Sequence, residues 1–448
     1  MLDAALAIVT DLVRDAAHPL TGAGTDYDPL LECVGDARFV LLGEASHGTH
    51  EFYRQRAQIT KRLIQEKGFT AVAVEADWPD AYRVNRYVRG HGTDADAVEA
   101  LSGFKRFPAW MWRNADVLDF IGWLRAYNDS VPSGAVKTGF YGLDLYSLHA
   151  SMEAVLNYLD KVDPEGARRA RQRYACFEQF GDDPQEYGHA AGLGLTHNCE
   201  SEVITQLIDL QSRAADYARR DGRVAADDFF YAEQNARLVR DAEQYYRTMF
   251  RGRVSSWNLR DLHMTETLDS LAGHFALQHE PAKFVVWAHN SHLGDARATR
   301  MGQAGEWNVG QLVRQKHGRD CVLIGFTTYH GTVTAASDWG GPAERKRVRP
   351  ARPGSYESLF HDTEMPSFSL ALPHSAHVGQ ALRKAMLERA IGVIYRPESE
   401  LASHYFQAKI ADQFDAVIHF DQTRAVEPLE PTAEWGIGEP AETFPTGI

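Results

Sequence analysis

The sequence predicts an α/β protein: a mostly parallel sheet flanked by helices in αβα layers, with a helical insertion between strands three and four. Two observations carry that prediction. Short apolar, β-favouring runs alternate with helical patterns, the mark of βαβ units. The alternation stops between about residues 147 and 278, where only long helical patterns occur, and then resumes.

The predicted strands are 37–42, 70–74, 137–141, 283–287, 321–326, 392–395 and 416–420. After the first, residues 51–67 are rich in good helix formers and meet a stop at Gly68. Strand, helix and strand at this spacing form one βαβ unit, whose strands are expected to be parallel and adjacent. Residues 116–127 place Val117, Phe120, Ile121 and Leu124 on one helical face before the third strand. The insertion is dominated by helical patterns over 201–220 and 227–250. The expected organisation is an α/β core (1–146 and 279–430) carrying the site, a helical insertion or cap (147–278) and a C-terminal tail (431–448). Gly340, Gly341, Pro342, Pro350 and Pro353 mark 338–353 as a loop, so the run Arg345-Lys346-Arg347-Val348-Arg349 within it reads as solvated charge.

With 448 residues, 44% hydrophobic and 24% charged, the chain suits a soluble globular protein with a large core. Its net charge of −14 opposes binding to nucleic acid, and no basic helix with interleaved aromatics appears. Cys33, Cys176, Cys199 and Cys321 show no close pair and no zinc-ribbon spacing, so they read as separate reduced thiols of a cytoplasmic protein. Aspartates interrupt the apolar N-terminus, which suits an amphipathic surface helix rather than a signal peptide. No apolar run reaches the length of a membrane span. Oligomeric state leaves no mark.

Chemistry gathers at the strand ends. The first strand runs into Gly43-Glu44-Ala45-Ser46-His47, the second into Glu75, the third into Asp144 and the fourth into Ala288-His289-Asn290-Ser291-His292. In open α/β sheets, ligand sites form beyond the carboxyl ends of parallel strands. A buried carboxylate needs a partner, and for Glu44 and Glu75 the nearest candidates are His47, His289 and an arginine. This set suits water activation, in which a neutral histidine takes a proton while a carboxylate fixes its tautomer. Ser46 is the weaker nucleophile, because it lacks the Gly-x-Ser-x-Gly elbow. His47, His50, His289 and His292 with nearby carboxylates could also furnish a zinc site. Their spacing matches neither His-Glu-x-x-His nor its inverse. Metal and metal-free chemistry both stand open on these residues alone. His50, on the first turn of a helix, reads as a capping or core hydrogen bond.

Gly43-Glu44-x-x-His47, Arg56 nine residues on, Glu75 and His289-x-x-His292 together resemble the erythromycin esterase family. So do Asn258-Leu259-Arg260-Asp261-x-x-Met264, Ile391-Gly392-Val393-Ile394-Tyr395-Arg396-Pro397 and Gln413-Phe414-Asp415-Ala416-Val417, and the likeness covers roughly residues 30 to 430. The resemblance implies a hydrolase that opens a macrolide lactone ester, an antibiotic-resistance type of activity, by histidine-activated water and without a metal cofactor. Carried across by position, Glu44, His47, Glu75 and His289 form the catalytic centre, with Arg56 and His292 completing it. Arg260 matches an arginine of such sites, and Asp144 rests on the strand-end argument alone. Either His47 or His289 is the base, held by Glu44 or Glu75, and Arg56 or Arg260 steadies the oxyanion. A small molecule is the expected partner, though its identity stays open, with Trp110, Trp112 and Trp257 available to line its pocket or the core. Two other readings remain. One is a divalent-metal hydrolase using the same His/Glu cluster as ligands. The other is a non-catalytic small-molecule-binding homologue, which the presence of all four central residues opposes.

Overall fold

Phe39–Leu42 is apolar at every position and buried at every position, as a central parallel strand covered on both faces must be. The computed structural model describes residues 2–181, 183–218, 222–250, 252–278, 282–373 and 376–437. In chain order its strands are β1 (His18–Pro19), β2 (Phe39–Leu42), β3 (Ala71–Asp77), β4 (Gly139–Asp144), β5 (Phe284–Trp287) and β6 (Cys321–Ala335). They continue with β7 (Glu344–Val348), β8 (Ser367–Ala371), β9 (Met386–Arg389), β10 (Tyr405–Ala408) and β11 (Ala416–Thr423). The main sheet runs β1-β8-β11-β6-β2-β5-β3-β4, with β7 beside the far half of β6. From β11 to β4 every neighbour is parallel. The antiparallel members are β1, β8 and β7.

Alternation along the strands divides the core in two. Phe39, Leu41, Ala71, Ala73, Phe284 and Val286 face one side and pack with Leu159, Leu238, Val239, Leu268 and Leu271 of the insertion. Val40, Leu42, Val72, Val74, Val285 and Trp287 face the other, against Ile59 and Leu63 of helix His50–Lys67 and Phe120, Ile121 and Leu124 of helix Ala115–Ser130. Each of the Val, Leu, Ile and Phe side chains contributes about 1.5–3 kcal/mol on burial. The residues between β4 and β5 therefore fold as helices that supply one flanking layer. The longest are Gly222–Thr248 and Arg253–Gln278. Helix His50–Lys67 stops where expected, with Gly68 left-handed at φ 71°.

Several expectations need correction. Strands β2 and β3 are parallel but not adjacent, because β5 lies between them and pairs with both. A crossover helix dictates that its strands run the same way and leaves room for a later strand between them. Residues 392–395 form no strand, only an isolated bridge of Ile394 to Ala336 beside that of Ile391 to Ser46. The stretch 338–353 is not all loop: β6 continues to Ala335, the chain turns, and Glu344–Val348 returns as β7. There Lys346 and Val348 point inward and Arg347 outward, so the basic run conceals the alternation of an edge strand. Strands β8, β9 and β10 were not foreseen. Cys176 and Cys199 are joined in a disulfide, contrary to the expectation of four separate thiols, while Cys33 and Cys321 are free. Folding the insertion brings residues 23 apart within a Cα separation of 6.0 Å. In the tail, helix Ala433–Ile437 sends the Trp435 indole N–H to the Thr334 hydroxyl. Residues 219–220 of the predicted helix 201–220 and residues 438–448 of the tail lie outside the described residues. Among the described residues no helix is long and apolar enough to cross a membrane.

Candidate active site

Because β2 and β5 are neighbours, the residues that follow them are forced together. Gly43 permits the contact: a Cβ there would come 2.1 Å from the Asn290 side-chain oxygen. The Asn290 backbone N–H donates to the Glu44 carbonyl (2.8 Å), and its side-chain amide donates to the Phe326 carbonyl (2.8 Å). The ends of β2 and β5 are thus tied to each other and to the middle of β6, forming one rim.

On that rim Glu44 Oε1 lies 2.9 Å from His47 Nδ1. The other Glu44 oxygen is 2.7 Å from an Nη of Arg56, whose side chain is 0% exposed. Arg56 comes from helix His50–Lys67 and its guanidinium sits over the rings of Tyr53 (4.5 Å) and Trp287 (5.2 Å). With Nδ1–H directed at a carboxylate, the lone pair of the neutral His47 ring is on Nε2. That atom is 4.0 Å from Glu75 Oε1.

Glu75 closes the next strand. Its Oε1 accepts from Arg260 (2.7 Å) and lies 3.3 Å from His292 Nε2, while Oε2 accepts the His289 backbone N–H (2.9 Å). Burial would raise its pKa, but the positive charges of His292 and Arg260, joined by His47 when that ring is protonated, outweigh that and hold it well below the usual carboxylate range. Asp144, at the end of β4, accepts from Arg260 at both oxygens (2.9 and 2.7 Å) and is likewise held low, against burial, by that guanidinium.

The two histidines after β5 differ in charge. His289 caps the short helix Asn290–Leu293, and its Nδ1 receives the Ser291 backbone N–H (3.2 Å) and the Ser291 hydroxyl (2.8 Å). The ring proton is thereby assigned to Nε2, a buried atom without a well-aligned hydrogen bond, with the Ala45 backbone close to the ring. Burial, and then the nearby His47, push its pKa down to about 3, so the ring is neutral at ordinary pH. Its centroid is 4.9 Å from that of His47. For His292, burial opposes charging, yet the carboxylates of Asp261 and Glu75 prevail and take it up to about 9. Both Asp261 oxygens are 2.9 Å from His292 Nδ1, and the Trp257 ring lies parallel to the imidazole at 4.5 Å.

All eight residues singled out in the sequence (Glu44, His47, Arg56, Glu75, Asp144, Arg260, His289 and His292) meet in this one network. His50 stands apart, paired with Asp116 (2.8 Å), and Ser46 is spent on Thr49. A cavity of about 610 Å³ opens over His47, Glu75, His289 and His292, walled by Trp112, Tyr146 and Trp257. Trp110 is buried in the core instead. Asp261 was missed, although it stands in the quoted Asn258–Met264 motif. It lies within a helix, where no strand end marks it, and its adjacency to Arg260 was the available signal.

Most of the donors are already engaged with one another. Glu44 is engaged by Arg56 and His47, Glu75 by Arg260 and the His289 N–H, and His292 by Asp261, with two guanidiniums inside the cluster. Among the described residues no three His, Cys, Asp or Glu side chains are disposed to hold a metal ion.

The erythromycin esterase family model matches residues 64–423. The chain belongs to the erythromycin esterase family. Erythromycin esterase type II of Escherichia coli is 22% identical over 404 residues, covering 84% of this chain and 93% of that protein. The crystal structure of a succinoglycan biosynthesis protein matches with a TM-score of 0.74 at 21% identity, covering 95% of this chain and 98% of the other. An erythromycin esterase mutant solved in its open conformation matches with a TM-score of 0.64 at 18% identity, covering 90% and 95%. At these identities the solved structures speak for the fold, a mostly parallel central sheet flanked by helices. Membership of the family suggests a hydrolase.

Proposed function

We propose that the chain hydrolyses a carboxylic ester or lactone with water activated by His47, through no covalent intermediate and without a metal. The observation that carries this reading is the Glu44–His47 contact of 2.9 Å, which commits Nδ1 and leaves Nε2 free as base. Water attacks the acyl carbon as its proton passes to His47 Nε2. The resulting imidazolium is stabilised by Glu44 and by Glu75, 4.0 Å away. The tetrahedral oxyanion takes a hydrogen bond from the neutral His289 Nε2–H, to which the substrate oxygen then offers a well-aligned acceptor. As the carbon–oxygen bond to the alcohol breaks, His47 returns the proton to the leaving oxygen. Arg260 and His292 hold Glu75 in place, and Arg56 holds Glu44. A positioned base contributes about 10²–10⁴ in rate, and an oxyanion donor about 2.7–4 kcal/mol.

One contact favours a second reading. The Ser291 hydroxyl reaches His289 Nδ1, as a nucleophile reaches its base. The Ser291 N–H competes for the same lone pair, and no carboxylate backs the opposite nitrogen, so direct attack by water is the better supported course. The proposed substrate is a small molecule, macrolides included, and the proposed compartment is the cytoplasm. The Cys176–Cys199 disulfide opposes that compartment, because reducing environments rarely retain such bonds.

A screen of p-nitrophenyl esters, lactones and macrolides against wild type and His47→Ala, with and without EDTA, tests the reading. Turnover by wild type that survives EDTA and is lost in His47→Ala is expected, with no acyl adduct by mass spectrometry. Loss of activity on chelation would restore the metal hydrolase. An adduct on Ser291 would establish the covalent route, and binding without turnover would point to the non-catalytic homologue.

A further inference from the structure

We propose that Asp261 is a positioning residue of this centre, acting through His292, which it holds as the doubly protonated donor that fixes Glu75. The inference rests on the hydrolytic reading for its consequence and on geometry for its substance. Asp261 is 0% exposed and lies on helix Arg253–Gln278, beside Arg260. Both of its oxygens are 2.9 Å from His292 Nδ1, and one also accepts the Val309 backbone N–H at 3.0 Å. A carboxylate so enclosed demands a cationic partner. One turn earlier on the same helix, Trp257 covers the face of the ring at an interplanar angle of 5°. The imidazole is thereby held edge-on with Asp261 at Nδ1, while its Nε2 meets Glu75 at 3.3 Å and a guanidinium nitrogen of Arg260 at 3.1 Å.

The charge balance points the same way. His292 faces Asp261 and Arg260 from the helix, Glu75 from β3 and His289 from the end of β5, with Asp144 of β4 behind Arg260. Around the ring itself, one guanidinium thus stands against the two carboxylates of Glu75 and Asp261, while Asp144 is shared between Arg260 and Arg106. A proton on His292 reduces that excess, and the raised pKa of the ring agrees, while burial raises the Asp261 carboxyl against the pull of His292 and Arg260. Charged His292 keeps Glu75 ionised, and Glu75 in turn holds the His289 backbone (2.9 Å) and stands beside His47 (4.0 Å). Asp261 touches no reacting atom and yet would govern both catalytic histidines.

Histidine-selective ¹⁵N labelling of the full chain tests this, with the His292 signals identified by their absence in His292→Gln. At pH 7 wild type is expected to show both His292 nitrogens as imidazolium, Asp261→Glu to retain that form, and Asp261→Asn to show a neutral ring. With p-nitrophenyl acetate, Asp261→Asn is expected to lose roughly 10–100-fold in kcat while KM moves by less than about twofold. A neutral His292 in wild type, or an imidazolium that persists in Asp261→Asn, overturns the proposal. Should Asp261→Asn fail to fold, the wild-type spectrum still decides, since a neutral ring there is sufficient refutation. Wild type that hydrolyses no ester would defeat the proposed reaction while the spectrum still judged Asp261.

Discussion

Replacing Glu44 by glutamine should damage stability and catalysis together, because one carboxylate serves both. Its Oε2 stands 2.7 Å from Arg56, and the two side chains are 2% and 0% exposed. All three Arg56 guanidinium nitrogens are buried without aligned hydrogen bonds, so the Glu44 carboxylate, in ionic contact with Nη2, is the charge that compensates this guanidinium. Unit charges about 4 Å apart at an effective dielectric of about 20 attract by about 4 kcal/mol. Breaking a buried pair by removing one partner costs about 3–5 kcal/mol, and the two figures agree. Catalysis should fall further, since glutamine can present an N–H to His47 and reverse its tautomer; the comparable loss in a serine protease triad is about 10⁴. Urea unfolding at pH 7 and p-nitrophenyl ester turnover would be measured for wild type, Glu44→Gln and Glu44→Gln/Arg56→Met. The double variant should recover most of the stability and none of the rate, because methionine removes the stranded charge while His47 remains unguided. A single variant within about 1 kcal/mol of wild type, or a double variant that regains turnover, would refute the reasoning.

Three further outcomes follow from particular contacts. Gly43→Ala should cost at least about 1–3 kcal/mol of overpacking and lower kcat, since its Cβ would meet the Asn290 oxygen at 2.1 Å; an unchanged urea midpoint would contradict this. Glu388 is fully buried, and burial together with Glu357 raises its pKa well above the usual range. Its folded-state pKa exceeds its unfolded value, so the stability it confers is complete below about pH 4.5 and declines as pH rises through the folded-state value. Glu388→Gln should flatten that decline, and a stability–pH curve parallel to wild type would count against it. Trp339, 56% exposed, meets Phe107 edge-on at 5.1 Å across the mouth of the cleft. Trp339→Ala should raise KM for bulky esters more than for p-nitrophenyl acetate, and equal effects on both would remove Trp339 from substrate selection.

The sheet could be read from sequence where a strand is buried on both faces, as in Phe39–Leu42 and Phe284–Trp287, because such a strand is a plain apolar run. The candidate cluster was legible for the same reason: once the buried parallel strands were located, Glu44, Glu75, Asp144 and His289 marked their ends. Strand β7 was not, because an edge strand of Glu344-Arg345-Lys346-Arg347-Val348 buries only alternate residues and carries charge on the rest. The insertion of β5 between β2 and β3 depends on pairing across more than 200 residues, which local periodicity does not encode. The division of labour between His289 and His292 was also hidden. Two histidines three residues apart become neutral and charged only when Ser291 occupies one ring and Asp261 and Glu75 flank the other.

The most direct test of the account is the rate of p-nitrophenyl acetate hydrolysis by folded His47→Ala, with and without added imidazole. Loss of at least about 10² in kcat, partly restored by imidazole entering the vacated space beside Glu44, is the predicted result. Near-native turnover without imidazole would show that another group activates the water.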